Sequence, residues 1–280
     1  MTLREAFTPE LTNNLKRLTL QLKSETTAAG GRRKSRAKGQ SVEFSDFRNY
    51  VPGDSIKNID WKSYGRLDKL FIKLFSEERQ ANVNIVIDTS ASMGFGGKKL
   101  QTQLLSTCLC YMFMLNMDRI NIYALDGTPL TDLTSPNMIG RAVEYLENIE
   151  FSGEKDLLPA VKALNLRRGS CIFISDFFTN DNKTELFKLL AYKRQKLHAV
   201  TLLDKTEISP ESGEDATLED SENLKQMAVI PDKNALKRYK EALDRHLAEI
   251  ANAAKKAQGR FYLAVTDVPV MKIIKELIIQ

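Results

Sequence analysis

Apolar and polar positions along this chain follow two periods. From residue 82 onward, short, nearly continuous apolar runs alternate with longer stretches whose apolar positions recur every three or four residues. The runs predict strands at 83–88, 120–126, 171–176, 198–204 and 261–267. The stretches between them predict helices at 98–117, 137–149, 156–165, 182–195 and 232–257. The last of these carries Leu236, Tyr239, Leu243, Leu247, Ile250 and Ala254 on one stripe, and a further helix is expected after Pro269. Strand–helix units with apolar strands imply a mainly parallel sheet covered by helices on both faces, an α/β architecture. Upstream, Leu11, Leu15, Leu18 and Leu22 mark a helix within residues 1–28, and residues 42–81 are dense in aromatic and charged side chains. The pattern divides the chain into an N-terminal accessory region, 1–81, and an α/β domain, 82–280.

Composition narrows the class. A chain of 280 residues, 42% hydrophobic and 28% charged, can bury a substantial core. No apolar stretch reaches the roughly 18 residues that span a bilayer, and Met1-Thr2-Leu3-Arg4-Glu5 lacks a signal-peptide core, so a cytoplasmic location is expected. Cys108, Cys110 and Cys171 all lie in apolar segments and read as core residues rather than a disulfide framework. The two histidines, His198 and His246, have no local zinc or triad signature. Part of the net charge of +5 comes from Arg32-Arg33-Lys34-Ser35-Arg36-Ala37-Lys38, between glycines, which reads as a solvated basic loop. No aromatic platform accompanies it, so nucleic acid is not the expected partner. Residues 205–224 are acidic and predict a surface loop or small hairpin.

Chemistry concentrates where strands end. Asp88, Asp126, Asp176, Asp204 and Asp267 each close a predicted strand, and ligands of open α/β sheets bind at the carboxyl ends of strands. For three of these a turn or helix-cap role suffices. Asp88 and Asp176 differ, because each adjoins hydroxyls: Asp88-Thr89-Ser90-Ala91-Ser92 and Ser175-Asp176. A carboxylate and two hydroxyls in a D-x-S-x-S array are hard oxygen donors suited to Mg²⁺, whereas the plain alternative is that the serines cap the next helix.

These features resemble the von Willebrand factor A-like (Rossmann-like) fold with its metal-ion-dependent adhesion site. The resemblance implies Mg²⁺ held by Asp88, Ser90, Ser92 and Asp176, with a free coordination position for a partner's carboxylate. Upstream, Phe44-Ser45-Asp46-Phe47-Arg48-Asn49-Tyr50-Val51-Pro52-Gly53-Asp54, then Ile59-Asp60-Trp61 and Gly65-Arg66, resembles the bacterial domain-of-unknown-function family 58. That resemblance implies a non-enzymatic protein-interaction adaptor whose partner is a MoxR-type AAA+ ATPase or its client. Read physically, the segment is scaffold: a type II turn at Pro52-Gly53, Trp61 as a packing anchor, and a charged network of Arg48, Asp54, Asp60 and Arg66.

One departure stands out. In Phe151-Ser152-Gly153-Glu154-Lys155-Asp156-Leu157, Lys155 occupies the position where the family carries a threonine. An ammonium has no acceptor and does not ligate a metal. Lys155 is therefore expected to supply the positive charge itself, paired with Asp88 or Asp176, leaving metal binding weak or absent; a one-residue shift of the loop brings Ser152 in instead. The enzymatic alternative is a Mg²⁺-dependent haloacid-dehalogenase-type phosphatase, but Ser90 stands where its acid/base carboxylate belongs. The glycines at 94, 96 and 97 match no nucleotide-binding pattern.

Overall fold

The structure, a computed structural model, describes residues 2–28, 42–77, 80–210, 217–219, 226–228 and 233–279. The basic run Arg32–Lys38 and most of the acidic stretch beyond Pro210 lie outside the described residues. In chain order the elements are α1 (Leu3–Ala6), α2 (Pro9–Ala28), β1 (Val42–Asn49), α3 (Trp61–Leu67), β2 (Phe71–Glu77), β3 (Asn82–Ile87), α4 (Lys98–Leu115), β4 (Arg119–Ala124) and β5 (Leu130–Leu133). There follow α5 (Ile139–Glu147), α6 (Leu157–Ala163), β6 (Gly169–Ser175), α7 (Lys183–Tyr192), β7 (Gln195–Leu203) and α8 (Lys205–Ile208). The chain closes with β8 (Thr217–Glu219), β9 (Gln226–Ala228), α9 (Lys233–Lys256), β10 (Arg260–Val265) and α10 (Val270–Ile279).

The chain forms two compact units, residues 1–21 with 81–280, and residues 22–80. The larger is a mixed α/β unit built on a six-stranded sheet of order β10-β7-β6-β3-β4-β5. Its first five strands are parallel, and β5 runs antiparallel at one edge. All five strands expected from the apolar runs are present, in one sheet. β5, which the sequence reading missed, is a four-residue edge strand of which only Leu133 is buried, too short to show a period.

Alternation in the strands separates the two faces. Val86, Tyr123, Phe173 and Ala199 point into a cluster with Leu157, Val161, Leu186, Phe187, Leu190, Ile250 and Ala254 from α6, α7 and α9. The opposite set, Ile85, Ile87, Ile122, Ile172 and Val200, is also fully buried, and α4 packs against this sheet. α4 is buried on nearly every side, which is why its apolar residues show so weak a stripe. Its Cys108 and Cys110, and Cys171 in β6, are free and buried, and burial pushes the Cys108 and Cys171 thiols up to about 12. They are core residues.

The N-terminal helical stretch breaks once. Thr2 and Glu5 form a capping box on α1, and Thr8 then accepts from Leu11 N at the start of α2, where Pro9 stands at the first helical position. Leu15 and Leu18 of the expected stripe are buried.

In the smaller unit β1 and β2 form an antiparallel hairpin. The turn at Pro52-Gly53 is of the expected kind: Asp54 N donates to Val51 O at 3.0 Å, and Gly53 adopts φ 101°. Trp61 corrects the reading above. It is 61% exposed and meets Tyr64 edge-on at 6.3 Å, so it is no packing anchor. The charged set is also two separate pairs, Arg48–Asp54 at 2.8 Å and Lys73–Asp60 at 3.3 Å, rather than one network through Arg66.

Candidate functional site

Strand order reverses at β3, which lies between β4 and β6, so the chain leaves its carboxyl end toward both sides. Topology puts the ligand crevice of such a sheet at this point, and Asp88 directly follows β3 there. Asp88 N is held by Ile174 O at 3.0 Å, extending the β3–β6 pairing by one residue. The loop after β3 is zipped to the 151–155 loop by two backbone bonds, Ala91 N to Gly153 O and Ser152 N to Thr89 O, each 2.9 Å.

Asp88 is 2% exposed. One carboxylate oxygen accepts Ser175 Oγ–H at 2.6 Å, the other Ser90 N–H at 2.9 Å. Burial, then the charge of Asp176, raise its pKa, while the Ser175 and Ser90 hydrogen bonds act in the opposite direction. The Ser90 and Ser92 hydroxyls lie 3.1 Å apart and bond to each other. Neither caps the following helix: Ser90 makes no capping bond, and the N-cap of α4 is Gly97. The capping alternative is thereby replaced by a hydroxyl pair held beside Asp88.

Asp176, at the end of β6, is 1% exposed and accepts from Phe178 N at 3.1 Å. Its second oxygen takes the ammonium of Lys98 at 2.9 Å, and Lys98 reaches Glu207 Oε1 at 2.7 Å. Lys98 is wholly buried. Burial raises the Glu207 pKa, with the Lys98 ammonium opposing it. The backbone carbonyl of Asp176 accepts the Nε2–H of His246 at 2.9 Å, and that imidazole stacks on Phe178.

Lys155 is elsewhere. Its Nζ pairs with Asp126 at 2.6 Å, and Asp126 also accepts the Thr89 hydroxyl at 2.8 Å. The expectation that Lys155 meets Asp88 or Asp176 is therefore corrected: the ammonium in the carboxylate cluster is that of Lys98. The sequence reading gave Lys98 a place at the start of a helix and no role in the cluster. Its partners are 78 and 109 residues away, so no local pattern announces them.

The glycine-rich loop is clamped from below. Asp204, at the end of β7, accepts Gly97 N at 3.0 Å, Thr206 N at 3.0 Å and Thr266 Oγ1 at 2.8 Å. Gly96 adopts φ 56°, and a Cβ there would lie 2.5 Å from Asp204 Oδ2. Burial alone would push Asp204 up, but these hydrogen bonds outweigh it and hold the pKa at about 2. Because that lies below the usual value of 3.8, the stability it contributes is present above about pH 4 and lost as pH falls through about 2. Asp204→Asn is expected to cost roughly 2 kcal/mol at pH 7 and progressively less toward pH 2 in urea denaturation. An equal cost at both ends of that range would assign the effect to packing.

The residues pass one test for Mg²⁺ and strain another. An octahedron with bonds of about 2.1 Å has edges of about 3.0 Å, which the Ser90–Ser92 oxygen separation of 3.1 Å matches. The carboxylates are less free, since both Asp88 oxygens are engaged within the protein and Asp176 is neutralised by Lys98. Among the described residues no three acidic, histidine or cysteine side chains cluster in metal-binding array. The donor set fits a cation held mainly by the two hydroxyls with Asp88 behind them. No helix of the described residues is long and apolar enough to cross a membrane.

Comparison with known proteins gives a family match over residues 46–249, to the model described as "Protein of unknown function DUF58". Uncharacterized proteins of Mycobacterium bovis and Mycobacterium tuberculosis are each 22% identical over 208 residues, covering 69% of this chain. The chain spans about 65% of the length of these curated relatives. Among solved structures, the conserved hypothetical protein BatB from Bacteroides thetaiotaomicron aligns at TM-score 0.44 and 17% identity, over 71% of this chain and 97% of its own. An aerotolerance-related membrane protein from Bacteroides fragilis aligns at TM-score 0.41 and 16% identity, over 71% and 100%.

Proposed function

The chain belongs to the DUF58 family of proteins of unknown function, and from that premise we propose that it is a non-enzymatic, cytoplasmic docking adaptor with a von Willebrand factor A-like domain. Its site is of the metal-ion-dependent adhesion type, formed by Asp88, Ser90, Ser92 and Asp176. The observation that carries this reading is the hydroxyl pair of Ser90 and Ser92, 3.1 Å apart and not used for capping, beside Asp88 in the crevice at the carboxyl ends of β3 and β6. The partner is a MoxR-type AAA+ ATPase or a client of one, presenting a carboxylate.

In this reading each side chain has a distinct task. Ser90 and Ser92 would hold a Mg²⁺ ion, with Asp88 supplying negative charge behind them. A bound Mg²⁺ would offer an open coordination position to the partner's carboxylate oxygen. Lys98 pairs with both Asp176 and Glu207 and offsets one of their two negative charges, which eases holding these carboxyl groups together. With that ammonium already in the cluster, a divalent cation meets less net negative charge, so affinity in the millimolar range, about −4 kcal/mol, is expected.

A pull-down with a MoxR-type ATPase compares wild type with the Ser90→Ala/Ser92→Ala double variant. Partner retention is expected to fall about tenfold, in step with loss of Mg²⁺ binding by calorimetry. Equal recovery by both proteins would defeat the docking reading. The same preparations serve for a phosphatase assay; Mg²⁺-dependent turnover abolished by Asp88→Asn would replace docking with the haloacid-dehalogenase-type alternative.

A further inference from the structure

We infer that a second ligand site lies at the opposite end of the sheet, an open basic cleft at the amino ends of β6 and β7 that binds a small phosphate-bearing anion of two or more charges. The cleft encloses about 450 Å³ and is lined by Arg168, Arg194, Lys196 and the side of Gln258, with Gly169 and Gln195 at its floor. Every charged residue lining it is positive. β7 is nine residues long, so this site and the crevice at Asp88 stand roughly 30 Å apart along the strand direction. They are independent.

Several elements contribute. Arg168 precedes β6, Arg194 follows α7, and Lys196 lies in β7, while Lys255 and Lys256 end α9 and Arg260 opens β10. Register places Lys196 beside Ser170, and Arg260 beside His198 two residues further along β7. Among the described residues none of these six cations forms a salt bridge, whereas nearby Arg167 is spent on Asp132.

The plain alternative is that cations collect here because α7 and α9 end here, where the helix dipole is negative. Lys193, just after α7, makes such a contact at the end of α6, donating to Lys162 O and Leu164 O. Arg168 and Lys196 belong to no helix terminus, and among the described residues the side chains of Arg168, Arg194 and Lys196 meet no acceptor. Backbone geometry also departs from the ordinary ending. A left-handed residue after a helix is usually glycine, yet Arg194 at φ 58° and Gln258 at φ 56° take that conformation, and both line the cleft. Local potential is positive as well: burial, then Lys196 and Arg260, pull His198 down to about 4.

Charge decides the ligand class. One carboxylate would leave two of the three lining cations unmatched. A pyrophosphate or nucleotide phosphate balances them, and guanidinium forks suit its oxygens. The cleft holds no aromatic side chain to stack a base, which disfavours a single nucleic-acid strand.

The test titrates the full chain with inorganic pyrophosphate by calorimetry, and then with AMP, ADP and ATP. Saturable binding tighter than about 1 mM is expected, weakened at least about tenfold by Arg194→Glu/Lys196→Glu and by the milder Arg194→Ala/Lys196→Ala. Since both side chains are exposed, the thermal midpoints of the variants should match wild type, so a loss of binding is not a loss of fold. Nucleotides binding more tightly than pyrophosphate would assign the anion to a nucleotide, and equal binding to the phosphate alone; either supports the site. Absence of saturation up to roughly 10 mM, or binding that the variants leave unchanged, overturns the proposal. Tighter binding of a single-stranded oligonucleotide through Arg194 and Lys196 also overturns it.

Discussion

Lys98→Met is expected to cost about 3–5 kcal/mol at pH 7. Methionine matches the length and apolar character of the lysine stem, so packing is largely kept. What disappears is the ammonium between Asp176 and Glu207, in a place where Lys98 is 0% and Asp176 1% exposed. Asp176 and Glu207 would then lose the cation they share, with the Asp176 charge left acting on Asp88. Asp88 already has a raised pKa because of burial and the Asp176 charge, and Glu207 because of burial. A carboxyl whose folded pKa is raised contributes stability that is present at low pH and lost as pH rises through that folded pKa. Removing the ammonium strengthens the effect, so the penalty should shrink when urea denaturation is repeated at pH 5. Added Mg²⁺ should recover more stability in Lys98→Met than in wild type, because the exposed need is for positive charge. A penalty that is equal at both pH values and untouched by Mg²⁺ would show that the lysine acts through packing alone.

Phe177→Ala should cost a comparable 3–5 kcal/mol by urea denaturation, from a different cause. Its ring is fully buried and meets Phe173 and Phe187 edge-on, with centroids 5.2 Å and 5.4 Å away. Its backbone is left-handed, at φ 55°, a conformation an aromatic residue adopts only when the surroundings enforce it. Ser175 contributes to that enforcement by accepting Phe177 N–H at 2.8 Å while donating to Asp88. The turn that seats the aromatic ring thus also orients the Asp176 carboxylate and steadies Asp88. Phe177→Gly empties the same space but removes the backbone strain, so it should be about 1 kcal/mol more stable than Phe177→Ala, the reverse of the usual order. If the glycine variant is the weaker of the two, strain at this turn is not a significant term.

How much of this was legible beforehand differs by element. β3, β4, β6 and β7 are buried on both faces over most of their length because helices cover both, and that continuity is visible in a window of six residues, whereas β10, at the sheet edge, leaves Leu263 exposed. α9 declares itself by its stripe, of which Leu243, Ile250 and Ala254 are buried. The β1–β2 hairpin did not, since its strands mix aromatic and charged residues without strict alternation and carry a bulge between Phe44 and Asp46. Trp61 misled for a related reason: bulk suggests burial, but a seven-residue helix with no buried residue gives it nothing to pack under.

The amino-acid sequence by itself determined the parallel sheet, the helices that cover it, and the hydroxyl-and-carboxylate motif at the end of its central strand. Each of these depends on residues within a few positions of one another, where periodicity and strand ends carry the information. Tertiary structure alone decided which cation enters the carboxylate cluster. Lys155 sits in the loop packed against the motif and yet turns to Asp126, whereas Lys98 reaches Asp176 and Glu207 across 78 and 109 residues. The convergence of Arg168, Arg194 and Lys196 into one cleft was equally invisible. Both depend on which helix ends and strand ends become neighbours, and the sheet order sets that rather than any spacing along the chain.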